Sequence, residues 1–181
     1  ESFGFLPYDA VRDKCSPSAI CLICEIAAYA KDNGMTLYDY LLQIYAEYGF
    51  QRETTINVVR PGKTGAEEIQ AMMLNFRTNA PQEIAGEKVV KSKDFKTLVQ
   101  RELVNGEWVE TPIVMALNAT SNVLQYFTEG GLKISVRPSG TEPKIKFYFE
   151  IPAVMETPAD YAKATAEAEA KVPAIKASMG I

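Results

Sequence analysis

A short stretch rich in hydrogen-bond donors lies in the C-terminal half of the chain: Arg137-Pro138-Ser139-Gly140-Thr141-Glu142-Pro143-Lys144. It offers a guanidinium, two hydroxyl groups, an ammonium and a glycine N–H that no Cβ shields. An arginine can present two parallel N–H donors to two oxygens of one anion. Phosphate, with its several acceptor oxygens, suits this set best. The alternative is a plain hairpin loop, in which proline, serine and glycine serve turn geometry.

Two apolar runs flank the donor stretch and predict the strands that position it. Leu132–Val136 precedes it and Ile145–Ile151 follows it. Pro138 fixes its own φ and holds Arg137 extended, so the arginine side chain leaves its strand in few directions. We therefore expect the stretch to connect two neighbouring strands.

The rest of the chain alternates between helical and strand patterns. The first predicted helix runs from a cap at Ser16 to Gly34, and the second from a capping box at Thr36 and Asp39 to Gly49. The third begins at a capping box at Thr64 and Glu67, and the last runs from Thr157 to about Lys171, where Pro173 limits it. The predicted strands are Thr54–Val59, two or three short ones between Glu87 and Val114 with a turn at Asn105-Gly106, and Val123–Thr128. This order predicts an α+β fold, in which helices cover one face of an antiparallel sheet.

The composition narrows the possible partners. The chain has 181 residues, 47% of them hydrophobic and 23% charged, with a net charge of −4 and a pI near 5.0. A general nucleic-acid binder is usually basic, so we expect no nucleic-acid partner. No apolar run approaches the roughly 20 residues that span a bilayer, so we expect no membrane partner either. The chain opens on Glu1 rather than methionine, and we expect it to be a piece of a longer protein.

Cysteine and histidine usage limits the chemistry further. The three cysteines are Cys15, Cys21 and Cys24, a low and odd count that predicts a reducing compartment, the cytoplasm. Cys21 and Cys24 have C-x-x-C spacing, but they lie in an apolar helical run without a second pair, so we expect core residues rather than a metal site. The chain has no histidine, which excludes Ser-His and Cys-His nucleophiles. Gly62-Lys63-Thr64 resembles the end of a P-loop, but Asn57 stands where that motif requires glycine.

The donor stretch resembles the phosphate-binding loop of the α-D-phosphohexomutases, the family of phosphoglucomutase and phosphomannomutase. Other parts of the chain are similar to the same family in the right order: the opening Glu1-Ser2-Phe3-Gly4, Arg12-Asp13-Lys14, Ser121–Leu124, Glu129-Gly130-Gly131 and Ile145–Glu150. The resemblance covers the chain but only the C-terminal part of such an enzyme. It implies that residues 1–50 are the tail of a third, α/β domain. It also implies that residues 51–181 are a fourth domain similar to the TATA-box-binding-protein fold, an antiparallel sheet of about four strands with helices against one face.

The resemblance also implies an activity for the longer protein. Members interconvert hexose 1-phosphates and hexose 6-phosphates through a phosphoserine and a hexose bisphosphate, with Mg²⁺ bound in another domain. By resemblance, Arg137, Ser139, Gly140 and Thr141 bind the phosphate that is not transferred, and Lys144 is a further candidate. Glu1 and Ser2 would bind sugar hydroxyls.

Arg12 and Lys14 are candidates for a substrate loop, and the alternative is that they are solvated charges. The resemblance places no catalytic residue and no metal ligand in this segment, because the phosphoserine and metal motifs are not found in it. We therefore expect the segment alone to be inactive, with hexose phosphates and the remaining enzyme domains as its partners. Two alternatives stay open: a stand-alone phosphosugar-binding module, and a structural α+β domain without a ligand.

Overall fold

The structure is a computed structural model that describes residues 6–7, 9–10, 13–115 and 119–181. The chain divides into two compact units. The first comprises Glu1–Gly49 with Met155–Tyr161, and the second comprises Phe50–Val154 with Ala162–Ile181.

The first unit contains a pair of helices and a short 3-10 helix. Its elements are α1 Ser16–Asp32, α2 Leu37–Tyr48 and the 3-10 helix Pro158–Asp160. The predicted capping box of α2 is confirmed, since the Thr36 hydroxyl oxygen accepts from the Asp39 N–H and the Asp39 carboxylate accepts from the Thr36 N–H. The same hydroxyl donates to the Asp39 carboxylate, and this bond lowers the pKa of that carboxyl. Helix α1 caps one residue earlier than predicted, at Cys15 instead of Ser16.

Much of the apolar surface of these two helices is exposed, including Ile20, Ile23 and Leu41. Cys21 and Cys24 are exposed as well, so the prediction that they are core residues is wrong in this structure. Ala30 is the one residue of α1 that is buried. The apolar residues of α1 occupy a wider part of its surface than the described residues of the first unit cover.

The second unit is an antiparallel sheet with two helices. Its strands are β1 Phe50–Val59, β2 Glu83–Ile84, β3 Glu87–Asp94, β4 Val99–Val104, β5 Glu107–Pro112, β6 Leu124–Thr128, β7 Lys133–Pro138 and β8 Lys144–Ala153. Its helices are α3 Gly62–Thr78 and α4 Tyr161–Met179, the latter belonging to this unit from Ala162 on. The sheet has eight strands in the order β1-β8-β7-β6-β3-β4-β5, and β2 pairs with β3. The α+β fold is therefore confirmed, with more strands than the four expected.

The core lies between the helices and one face of the sheet, here called the inner face. Strand β8 alternates strictly, with Ile145, Phe147, Phe149 and Ile151 fully buried and the residues between them half-buried. The side chains that cover this face are Ile69, Met73 and Phe76 of α3 and Ala168, Ile175 and Met179 of α4. Burial of each large apolar side chain stabilises the fold by roughly 1.5–3 kcal/mol. The outer face, which β1, β8 and β7 share, is polar.

Two helix boundaries differ from the prediction. Helix α3 begins at Gly62, with Pro61 at the N-cap and no side-chain cap, so the predicted capping box at Thr64 is wrong. Helix α4 continues through Pro173 to Met179. An interior proline costs about 3 kcal/mol, but Ile175 and Met179 beyond it are buried in the core, and their burial offsets that cost.

The predicted hairpin at Asn105-Gly106 is confirmed. Val104 of β4 and Glu107 of β5 are the pair next to the turn, and the pairing of the two strands continues from there to Val99 and Pro112. The turn residues Asn105 and Gly106 have φ values of 52° and 86°. Positive φ at both positions is what a two-residue turn with the right twist requires, and Asn-Gly tolerates it.

Candidate functional site

The donor stretch connects two central strands of the sheet. Strand β7 ends at Pro138 and β8 begins at Lys144, so the loop itself is Ser139–Pro143. The last cross-strand pair is Pro138 with Ile145. The Ser139 N–H donates to the Lys144 carbonyl at 2.8 Å. Both ends of the loop are therefore fixed by the sheet, as the flanking patterns predicted.

The Ser139 hydroxyl organises the backbone of this loop. Its oxygen accepts from the N–H of Thr141 at 3.4 Å and from that of Glu142 at 3.3 Å. The hydroxyl hydrogen remains able to donate to a ligand. Gly140 and Thr141 are exposed, and no heavy atom of the described residues lies within 4 Å of the position that a Cβ on Gly140 would take. The loop therefore presents backbone and hydroxyl donors to solvent.

Arg137 and Lys146 face each other on the outer side of the sheet. Val136 is fully buried on the inner face, whereas Arg137 is exposed. The residue directly opposite Arg137 is Lys146 of β8, and the residue opposite Lys146 on its other side is Asn57 of β1. Like charges directly opposite each other destabilise a sheet. The outer face therefore carries two cations on neighbouring strands beside the loop, and an anion there would be attracted to both.

The sequence-based prediction missed Lys146. A signal for it is present, because Ile145 and Phe147 are both apolar and strand alternation then directs Lys146 to the face that carries Arg137. That inference also needs the register between β7 and β8, which only the structure supplies.

Lys144 forms an ion pair inside the loop, with Glu142. The Lys144 side chain is 26% exposed and the Glu142 side chain 57%. The carboxylate offsets the charge of this ammonium, so Lys144 adds less to the positive potential of the site than its charge alone would. The contact favours a role for Lys144 in shaping the loop.

A backbone contact ties the loop to the start of α3. The Arg60 N–H, which follows the end of β1, donates to the Pro143 carbonyl at 2.9 Å. The Arg60 carbonyl in turn lies against Gly65, where a Cβ would stand 1.8 Å from the carbonyl oxygen. Gly62 has φ of +86°, a left-handed value that favours glycine. The two glycines therefore allow α3 to begin directly against the residue that holds the loop.

A cleft of about 480 Å³ separates the loop from α3 on the inner side. Its walls are formed by the helix residues Gly62, Ala66, Ile69 and Gln70 and by the loop residues Ser139, Gly140, Thr141, Glu142 and Pro143. The loop is thus accessible from this side, while Arg137 and Lys146 lie on the other.

The phosphoglucomutase/phosphomannomutase C-terminal domain model matches residues 56–170. This chain belongs to that family. The match begins in β1 and ends within α4, so the loop, Asn57 and Lys146 all lie inside the phosphoglucomutase/phosphomannomutase domain.

Known phosphoglucomutases are similar to this chain over most of its length. The phosphoglucomutase of Staphylococcus haemolyticus is 37% identical over 151 residues, which cover 83% of this chain and 26% of that protein. That of Staphylococcus aureus strain N315 is 38% identical over 152 residues, with the same coverage. A crystal structure of parafusin, a phosphoglucomutase of Paramecium in its open form, aligns with a TM-score of 0.48 at 15% identity and covers 92% of this chain and 28% of that one. The chain spans about a quarter of the length of the curated relatives it matches.

The described structure does not test the roles of the remaining predicted site residues. Glu1, Ser2 and Arg12 lie outside the described residues. Lys14 is exposed and belongs to the first unit, where its N–H donates to the Asp13 carboxylate at 2.7 Å. Their assignment to substrate binding stays a prediction.

The described residues do not fit a metal centre. Among them, no group of three or more His, Cys, Asp or Glu side chains is arranged to hold a metal ion. In the same part of the chain, no helix combines the length and the apolar character needed to cross a bilayer.

A second charged cluster lies at the end of β3, two strands away from β7, and its contacts are structural. The Arg77 Nε donates to the Asp94 carboxylate at 2.8 Å, and an Arg77 Nη donates to the Asn122 side-chain oxygen at 2.8 Å. Burial alone would raise the pKa of Asp94, but hydrogen bonds from Arg77, the Lys96 N–H and Thr97 outweigh it and lower that pKa. The cluster fastens the C-terminal turn of α3 to the end of β3 and the segment before β6.

Proposed function

We propose that this chain is the C-terminal part of a phosphohexomutase and that its loop Ser139–Pro143, together with Arg137, binds the non-transferred phosphate of a hexose phosphate. The observation that carries the proposal is the placement of exposed loop donors beside two cations that oppose each other across neighbouring strands, within a phosphoglucomutase/phosphomannomutase domain.

Each group has a distinct task in this proposal. The Arg137 guanidinium binds two phosphate oxygens at once, and charged hydrogen bonds of this kind are the strongest available. Ser139 and Thr141 donate hydroxyl hydrogens, and the exposed backbone at Gly140 lets an oxygen approach the N–H groups closely. Lys146 adds a second positive charge across the strand pair. Lys144, paired with Glu142, holds the loop in shape.

Binding a phosphate remote from the reaction orients the hexose. A substrate anchored at one end places its other end where the reacting group can reach it, so binding energy is used for position. In the proposed parent enzyme, that reaction interconverts hexose 1-phosphate and hexose 6-phosphate through a phosphoserine and a hexose bisphosphate. A domain that closes over the phosphate also keeps water from the phosphorylated serine.

The two units correspond, in this proposal, to two domains of the parent. Residues 1–50 are the tail of the third domain and 51–181 the fourth. The exposed apolar residues of α1 and α2, among them Ile20 and Ile23, fit a surface that other parts of the parent cover. Glu1 and Ser2 are proposed to bind the sugar, and Arg12 and Lys14 to belong to a substrate loop.

The parent is proposed to be a Mg²⁺-dependent enzyme of the cytoplasm. Three free cysteines support a reducing compartment. Because the described residues do not fit a metal centre, no step of the proposed role of this chain involves the metal. The chain alone is proposed to be inactive, since it lacks the histidine of a phosphoserine motif and carries no group that transfers phosphate.

An NMR titration of the chain with inorganic phosphate and with glucose 1-phosphate tests the proposal. We expect saturable shifts centred on the Gly140 amide, and we expect Arg137→Ala to weaken both ligands at least about tenfold, the effect of losing a charged hydrogen-bond pair. Arg101→Ala is the matched control, because Arg101 is also an exposed arginine on a strand and lies on β4, three strands from β7. Equal binding by the wild type and Arg137→Ala would leave a structural domain without a ligand as the better description.

A further inference from the structure

We infer that Asn57 contacts the sugar of the bound hexose phosphate and is a specificity-determining residue of this site. The inference rests on the proposed function, because it takes the phosphate to lie between the loop, Arg137 and Lys146. It concerns a strand residue of the second unit, outside the loop.

Across the sheet, the strand register continues the row of Arg137 in one direction only, towards β8 and β1. Residues directly opposite one another on neighbouring strands form a row across the sheet. The pairing between β6 and β7 ends with Leu124 and Val136, so no residue of β6 pairs with Arg137 and its row does not continue onto β6. On the other side the row continues to Lys146 in β8 and then to Asn57 in β1. Since neighbouring strands lie about 4.8 Å apart, the Asn57 backbone is roughly 10 Å from that of Arg137. A ligand held by the two cations and larger than a phosphate reaches Asn57 next.

The side chain of Asn57 lies on the outer face and is available to a ligand. Its neighbours Ile56 and Val58 pack against the core on the inner face, and Asn57 itself is exposed. Its carboxamide makes no hydrogen bond with any described residue. Asparagine is depleted in strands because it adds little to sheet packing, so packing gives no reason for it here.

The chemistry of the carboxamide favours a sugar hydroxyl over the phosphate. A carboxamide has both donors and an acceptor, and a hydroxyl group can satisfy both kinds. A phosphate only accepts at its charged oxygens, and it already has the guanidinium, two hydroxyls and an ammonium nearby. Asn57 carries no charge and stands one strand beyond the second cation. It therefore suits the neutral part of the ligand.

Comparing two ligands on matched variants tests this inference. The dissociation constants of inorganic phosphate and of glucose 1-phosphate are measured by NMR titration for the wild-type chain, Asn57→Ala and Gln51→Ala. Gln51 is the control, since it is an exposed carboxamide on the same strand and the same face, about 20 Å along β1 at 3.3 Å per residue. We expect Asn57→Ala to weaken glucose 1-phosphate roughly three- to tenfold, the effect of one hydrogen bond, and to leave inorganic phosphate unchanged. Gln51→Ala should change neither.

Each other outcome overturns a specific claim. If Asn57→Ala weakens both ligands equally, Asn57 acts on the phosphate or on the loop, and the sugar contact is wrong. If it weakens neither, Asn57 is not part of the site, while the proposed phosphate site stands as long as Arg137→Ala still weakens binding of both ligands. If the wild-type chain binds neither ligand, the proposed function and this inference both fail.

Discussion

On the outer face of the sheet, some cations lie opposite a carboxylate on the neighbouring strand, and others lie opposite another cation. Towards the start of β7, Lys133 lies opposite Glu150, and their side chains form an ion pair at 2.7 Å. Farther across the same face, Lys91 lies opposite Glu102 at 3.3 Å. At the loop end of β7, the residue opposite Arg137 is another cation, Lys146. The sheet therefore places opposite charges across from each other at the start of β7 and like charges across from each other beside the loop.

This difference separates what stabilises the fold from what serves a ligand. Opposite charges across a strand pair contribute roughly 0.2–1 kcal/mol, and like charges there cost a similar amount. Like charges directly opposite each other therefore add nothing to stability by themselves, and residues that break a local rule in this way are expected at functional sites. The loop end must then be held by other means, which here are backbone hydrogen bonds and the contact between Arg60 and Gly65.

The largest effect in this comparison is expected from Gly65→Ala, which breaks the contact that supports the loop end. The new methyl would stand 1.8 Å from the Arg60 carbonyl oxygen, and backbone cannot move aside as a side-chain tip can. Overpacking costs about 1–3 kcal/mol, and the helix propensity of alanine returns up to about 1 kcal/mol of this. We expect urea denaturation to show a net loss of about 2 kcal/mol in the free energy of unfolding.

Gly140→Ala is the control for that stability measurement. No described atom lies within 4 Å of its new methyl, and its φ is not among the positive values, so stability should change by less than about 0.5 kcal/mol. A Gly65→Ala variant as stable as Gly140→Ala would show that α3 does not brace the loop through Arg60.

How far the sequence predicts these regions depends on the range of the interactions. The strands beside the loop and the Asn105-Gly106 hairpin follow from local alternation and turn chemistry, and both are confirmed. The start of α3 and the passage of α4 through Pro173 were predicted wrongly, because the packing of Ile175 and Met179 and the approach of Gly65 to Arg60 are tertiary contacts. The donor residues of the loop are contiguous and could be named from the sequence, but their role stays a prediction. Lys146 and Asn57 could not be joined to them, since strand register is nonlocal.

A smaller effect is expected from Asp94→Asn, which tests the region where charge is paired. The Asp94 side chain is 14% exposed and pairs with Arg77. Losing the charged hydrogen bonds should cost about 1–2 kcal/mol at neutral pH. Phosphate binding should not change, because none of these residues belongs to the loop and β6 separates β3 from β7.

The pH dependence of the free energy of unfolding at acid pH shows whether Asp94 stabilises the fold as a carboxylate. The folded state lowers the pKa of Asp94 below its ordinary value of 3.8, so its contribution is fully present above that value and is lost as pH falls through the lowered pKa. The wild type should therefore lose more stability than Asp94→Asn below about pH 4. Parallel profiles for the two proteins would mean that Asp94 is not stabilised as a carboxylate.

The smallest effect on stability, and the sharpest test of the comparison, is expected from Lys146→Glu. This change places a carboxylate opposite Arg137 and gives the loop end the same pairing that Lys133 and Glu150 have at the start of β7. Stability should rise by about 0.2–1 kcal/mol, while the affinity for inorganic phosphate should fall, because a cation of the site has become an anion.

The reciprocal variant Lys133→Glu should do the opposite. It faces Glu150, and Glu53 lies opposite Glu150 on the next strand, so three carboxylates would share one row and stability should fall. Phosphate affinity should stay near that of the wild type. If Lys146→Glu lowers stability as Lys133→Glu does, the opposition of Arg137 and Lys146 is not a strain that the fold tolerates for a ligand, and the distinction between the two rows fails.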